Sequence, residues 1–186
     1  MQFDPKAYGA EVAGILSLDG GGARLMPLAG PACSSEPARG RLAAADPSTL
    51  FPGASAPEAA LSGLWLYYSC LEECHELAQQ ISSHEGSYWH AILHRREPDP
   101  GNAAYWFRRV GTHPVFEPLR EAAREILKRF PGADFRPPAR WDPFAFITFC
   151  EQARRQERSA AIQAAMEIQL AEWQLLFDCC ARTRKS

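Results

Sequence analysis

The sequence predicts an all-α protein, a helical-hairpin bundle with an extended N-terminal arm. Three observations predict it. From Leu61 to Phe177 apolar residues recur every three or four positions, the helical period. Pro-led starts and Gly stops punctuate these stripes. Before them, residues 1–55 carry Gly, Pro, Ala and Ser too densely for long regular elements. The expected organisation is therefore an extended or partly mobile arm over 1–55 and a single α-helical domain over 56–186.

Within the arm, "GILSL" reads as a short strand, and Glu36 to Ala45 as a short helix after Ser34 or Ser35. Ser55 and Glu58 in "SAPE" form a capping box that opens the first long helix, with Pro57 tolerated in its first turn. Leu61, Leu64, Trp65, Tyr68, Leu71, His75 and Ala78 make one stripe. That stripe fits two helices with a turn at "SCLEE", and equally one continuous helix from Pro57 to Ile81. Trp89, Ile92 and Leu93 anchor the next helix, which Pro98 ends. Asp99 caps another, with Trp106, Phe107 and Val110 inside it and Gly111 as its stop. "FEPLREAAREILKRF" is amphipathic through Leu119, Ala123, Ile126, Leu127 and Phe130. Asp142 and Pro143 open a helix after the breaker "PGADFRPPAR", and a last helix runs from about Ser159 to Arg182.

The chain has 186 residues, enough for one domain with its own core. Its net charge is −2, with 20 Lys and Arg against 22 Asp and Glu, so no global basic field points to nucleic acid. No basic start precedes an apolar run, and no stretch approaches the ~18 apolar residues of a membrane span. A cytoplasmic protein without nucleic-acid or membrane partners is expected. The six cysteines include no C-x-x-C pair, and reduced, buried thiols are the expectation.

"ILSLDGGGARL" resembles the oxyanion loop of patatin-like lipases, and "GASAP" comes within one residue of a G-x-S-x-G elbow. That chemistry needs a serine on a sharp strand-to-helix turn and an activating Asp. Here Pro57 replaces the last Gly, "STLFP" is no buried strand, and no later Asp-Gly supplies the partner. Ser55 is therefore read as a helix cap, and Gly20, Gly21 and Gly22 as a turn.

"GNAAYWFRRVG" resembles the second helix of a Sel1-like or tetratricopeptide repeat, with Ala103 as the small residue, Trp106 and Phe107 as the aromatic pair, and Arg108 and Arg109 before Gly111. "ALSGLWLYYSCLEECHELAQQI" folds onto the same pattern with Cys74 and Ala78 in the small positions. The resemblance covers about residues 59–110. It implies stacked helical hairpins of the kind that bind a protein or peptide partner. Overall the chain is similar to uncharacterised bacterial helical proteins, a likeness that implies no activity.

Chemistry-bearing residues concentrate in "SYWHAILHRREPDPGNAAYWFRRVG", residues 87–111. Tyr88, Tyr105, Arg108, Arg109 and His113 are the expected binding surface. His90, His94 and Glu97, spaced four and three apart, share one helical face, with His75 on the neighbouring helix as a fourth ligand. Imidazoles on adjacent turns with a carboxylate suit a divalent transition metal such as zinc. Two readings follow: a helical binding or scaffolding module, and a metal-binding protein or metal-dependent hydrolase. Glu97 precedes Pro98, which biases it out of helical geometry and leaves its aim open.

Overall fold

A computed structural model describes residues 3–30, 32–156 and 159–183. Among them are ten α-helices and no strand beyond a single bridge between Ala54 and Thr183. The long helices follow the stripes: α4 (Pro57–Tyr67), α5 (Leu71–Ala78), α6 (His84–Arg96), α7 (Pro100–Val110), α8 (Phe116–Lys128), α9 (Pro143–Arg154) and α10 (Ala160–Ala181). Among the described residues no helix is long and apolar enough to cross a membrane.

The starts obey the caps. Asp99 accepts from the Asn102 N–H, Asp142 from Phe144 and Ser159 from Ile162, each closing an otherwise orphaned first-turn donor. Ser55 does otherwise. Its hydroxyl donates to the carbonyls of Cys179 and Cys180 at the end of α10, and Ala56 precedes α4 without a side-chain cap. A chain that must dock on α10 at this point spends its hydroxyl there. Between α4 and α5 the backbone breaks at Ser69, which takes a φ of 59°, so the helix is not continuous to Ile81.

Residues 3–30 and 32–55 are folded onto the core rather than extended. "GILSL" lies in and just beyond α1 (Ala10–Leu16), where Val12, Ile15 and Leu16 show the i, i+3, i+4 spacing and are fully buried. Short helices α2 (Glu36–Ala43) and α3 (Pro47–Leu50) follow. Gly20, Gly21 and Gly22 form a 3-10 turn with φ of 74°, 59° and 81°, a conformation side chains resist. The Tyr67 hydroxyl accepts from the Gly22 and Arg24 N–H groups and donates to the Asp19 carbonyl, so the glycine turn is fastened to α4.

Helices α4 and α6 are buried on every side: Ala59 to Tyr67 and Gly86 to Arg96 contain no exposed residue. Helix α4 meets α10 at Gly63, whose carbonyl accepts the Trp173 indole N–H at 2.7 Å. A Cβ on Gly63 would stand 2.7 Å from Cζ2 of Trp89, so the bare backbone lets α6 approach. The consequence matters for function. Every polar group on α6 must find its partner inside the protein.

The cysteine expectation is corrected. Cys33 and Cys70 form a disulfide, while Cys74, Cys150, Cys179 and Cys180 are free. They stand 37 residues apart in sequence, and the fold of residues 3–30 and 32–55 over α4 is what brings them together.

Candidate metal centre

Helix α6 carries His90 and His94 one turn apart, and α5 packs beside it with His75. The His90 and His94 rings lie parallel with centroids 4.8 Å apart. The His75 ring stands edge-on to both, at 4.6 Å from His90 and 5.4 Å from His94. One ring nitrogen from each residue falls within 4.8 Å of the others. A tetrahedral ion with N–metal bonds near 2.0–2.1 Å holds its nitrogens about 3.3 Å apart, so binding would draw the three rings inward.

His90 is the centre of the group. It is 2 % exposed, and among the described residues neither of its ring nitrogens has a hydrogen-bond partner. One face is covered by the Trp106 ring, parallel at 3.9 Å. Burial pushes its pKa down to about 3, with His94 and His75 adding to the shift. Burial lowers His94 as well, although the Glu97 carboxylate acts in the opposite direction. At neutral pH His90 is uncharged, the form in which imidazole ligates a metal.

Glu97 does not join the three nitrogens. It occupies the C-cap of α6, and its Oε2 lies 2.9 Å from Nδ1 of His94. Expected as a ligand beside His90 and His94, it stands next to His94 but outside the group of three nitrogens. A carboxylate on Nδ1 favours the tautomer protonated there and leaves the Nε2 lone pair free, the usual arrangement behind a metal-bound histidine. His75, expected as a fourth ligand, is instead the third. It is also the half-buried member, on the solvent edge.

The expected binding surface divides. Tyr88 is fully buried, and its hydroxyl donates to Glu172 at 3.1 Å. His113 is buried too, and its Nδ1 accepts the Val115 N–H at 3.2 Å. Both belong to the interior, because α6 is a central helix and the turn after α7 folds over it. Tyr105, Arg108 and Arg109 are exposed on α7. Arg109 lies over Trp106 and Arg108 over Phe144.

Sequence reasoning missed two interior features. Arg95 pairs with Glu172 of α10, both fully buried, and reaches Gln169 at 3.4 Å. Among the described residues Arg96 has no carboxylate partner. Its guanidinium donates to the carbonyls of Pro27 and Leu66 and to the Ser69 hydroxyl, and burial pushes its pKa down to about 9. Spacing within α6 does not encode these partners, which lie in other parts of the chain.

A second group, Glu85, His113 and Cys179, also brings ligand atoms within 4.8 Å. There the Val115 N–H occupies His113 Nδ1, so the neutral ring carries its proton on Nε2, 4.0 Å from Glu85. Burial raises the pKa of the Cys179 thiol, disfavouring the thiolate a metal needs. That group is a polar pair beside a thiol. A cleft of ≈ 830 Å³ lined by His113, Phe116, Arg120, Trp141 and Phe144 contains none of the three clustered histidines.

No family model, curated protein or solved structure matches this chain.

Proposed function

We propose that this protein binds one divalent transition-metal ion, zinc by preference, through His75, His90 and His94. The observation that carries the reading is His90, an enclosed imidazole whose two nitrogens have no partner among the described residues, flanked by two more imidazoles. Leaving such a group unsatisfied costs about 1–3 kcal/mol, and coordination removes that cost. Three neutral imidazoles suit zinc, and among the described residues no carboxylate or thiolate completes a fourth position. A fourth position held by water is the arrangement that metal-dependent hydrolases use. Calorimetric titration with zinc tests the proposal. Binding at one ion per chain should be lost in His75→Ala, His90→Ala and His94→Ala and kept in His84→Ala and His113→Ala. Equal binding by all five variants would refute it.

Tyr105, 49 % exposed beside Arg108 and Arg109 on α7, supports a second reading. In it, α4–α5 and α6–α7 are hairpins of the repeat type, and α7 presents a protein- or peptide-binding face. Both readings fit a cytoplasmic protein, whose Cys33–Cys70 bond would face a reducing thiol pool.

A further inference from the structure

Gly30, Cys33, Ser34 and Arg39 make contacts to the two helices that bring His75 and His94 together. At one end the Gly30 N–H donates to the carbonyl of Arg96 at 2.8 Å, two residues beyond His94. At the other, the Ser34 N–H donates to the Tyr68 carbonyl at 2.7 Å, and Arg39 pairs with Glu73 of α5 at 2.5 Å. Between these lies the one covalent link, Cys33 to Cys70. Cys70 is the N-cap of α5, and His75 follows on the second turn of that helix.

Helix α5 lies between α4 and α6, with Leu71 and Leu77 half-buried against the core, and is enclosed less fully than α6. It spans eight residues, of which only Cys74 and Ala78 are buried, and the Cys74 thiol donates to the Ser62 carbonyl at 3.4 Å. Helix α6, by contrast, is enclosed from Gly86 to Arg96 and tied down by Arg95 and Arg96. His90 and His94 are therefore fixed, and His75 is the ligand whose position depends on a short, partly exposed helix.

We propose that the Cys33–Cys70 disulfide controls metal affinity at the three-histidine site by fixing the start of α5 and hence His75. This rests on the metal reading above. A dithiol reductant supplies two electrons and two protons: the Sγ–Sγ bond breaks, Cys33 and Cys70 become thiols, and the reductant leaves as its own disulfide. Cys33 is the more exposed partner and the one a reductant reaches. With the bond open, the metal must also order α5, and that ordering weakens binding. Linkage makes the effect reciprocal, so bound metal protects the disulfide by the same factor.

The test is a Co²⁺ titration of the full chain in two forms, disulfide-intact and Cys33→Ser/Cys70→Ser. The d–d absorption of a tetrahedral nitrogen site reports occupancy, and the serines cannot ligate as thiolates. The expected result is a Kd at least tenfold weaker in the double variant. Should that variant fail to fold, wild-type protein opened with a phosphine gives the same comparison, and a sulfur-to-cobalt charge-transfer band would expose capture by the freed thiols. Equal Kd values within twofold would overturn the proposal while leaving the metal site intact. Absence of Co²⁺ binding in both forms would overturn the metal reading itself, and this proposal with it. Stronger binding by the opened form, or a thiolate band, would also overturn it.

Discussion

The Glu97 carboxylate lies 2.9 Å from Nδ1 of His94, at the end of the helix that also carries His90. Pro98 stops α6 one residue later, so Glu97 curls back over the last turn instead of continuing along the histidine face. Its place is behind the ligand. From there the carboxylate favours a proton on Nδ1 of His94, the tautomer that leaves Nε2 free for a metal.

Replacing Glu97 by Ala therefore weakens metal binding without abolishing it. Groups in this position are typically worth about 10–100-fold in affinity. Zinc titration of Glu97→Ala should show one ion per chain at a Kd raised within that range. Complete loss of binding would mean that Glu97 is itself a ligand.

His90→Phe separates stability from function. A phenyl ring keeps the stack on Trp106 and removes two buried nitrogens that have no partner among the described residues. Metal-free His90→Phe should be as stable as wild type or about 1 kcal/mol more stable, since removing an unsatisfied polar group relieves its desolvation cost. It should bind no zinc. Denaturant unfolding in the presence of a chelator checks the first half, and a loss above 2 kcal/mol would contradict it.

Acid should act on the metal-free protein through the same residue. His90 titrates at about 3 when folded and near 6.5 when unfolded, so the unfolded chain binds the extra proton between these values. Stability from this group is complete above pH 6.5 and is lost as pH falls toward 3, at up to about 1.4 kcal/mol per pH unit. His94 and His113, also lowered by burial, act in the same direction. Unfolding free energies at pH 7 and 5.5 should therefore diverge by about 1 kcal/mol more in wild type than in His90→Phe. A pH-independent difference would contradict the burial of a neutral His90.

Opening the disulfide lowers stability as well as affinity. Closing a loop of 37 residues is worth about 4 kcal/mol in the chain-entropy model. Cys33→Ser/Cys70→Ser should be about 2–4 kcal/mol less stable in urea, and without metal its far-ultraviolet helix signal should fall by no more than the eight residues of α5. A loss below 0.5 kcal/mol would show that the remaining contacts of Gly30, Ser34 and Arg39 suffice without the covalent link.

Glu172→Ala should be the most damaging of these changes. It leaves the Arg95 guanidinium buried and unpaired, a situation that costs about 3–5 kcal/mol. Thermal unfolding measures it, and a change below 1 kcal/mol would mean that Arg95 reaches water or another partner.

What could be read from sequence follows from how each helix meets the core. Helix α8 keeps Leu119, Ala123 and Ile126 on one side and charges on the other, so its period is plain. Helices α4 and α6 are enclosed on all sides and lose that contrast; spacing within α6 does not encode the partners of Arg95 and Arg96, which lie in α10, α4 and the segment before α2. The short apolar run at Ile15 and Leu16 carries too few residues to separate strand from helix, and the glycines after it hid α1. His90 and His94 were legible because spacing within one helix fixes their common face. The nearness of His75 depends on how α5 crosses α6, and that of Cys33 and Cys70 on the path of the first 55 residues, neither of which a spacing rule encodes.

The most direct test is the metal content of tag-free purified protein beside the His90→Ala/His94→Ala double variant, by elemental analysis before and after zinc reconstitution. One zinc or similar ion per wild-type chain, absent from a variant that still folds, is the predicted result. Wild-type protein without metal even after reconstitution would contradict it.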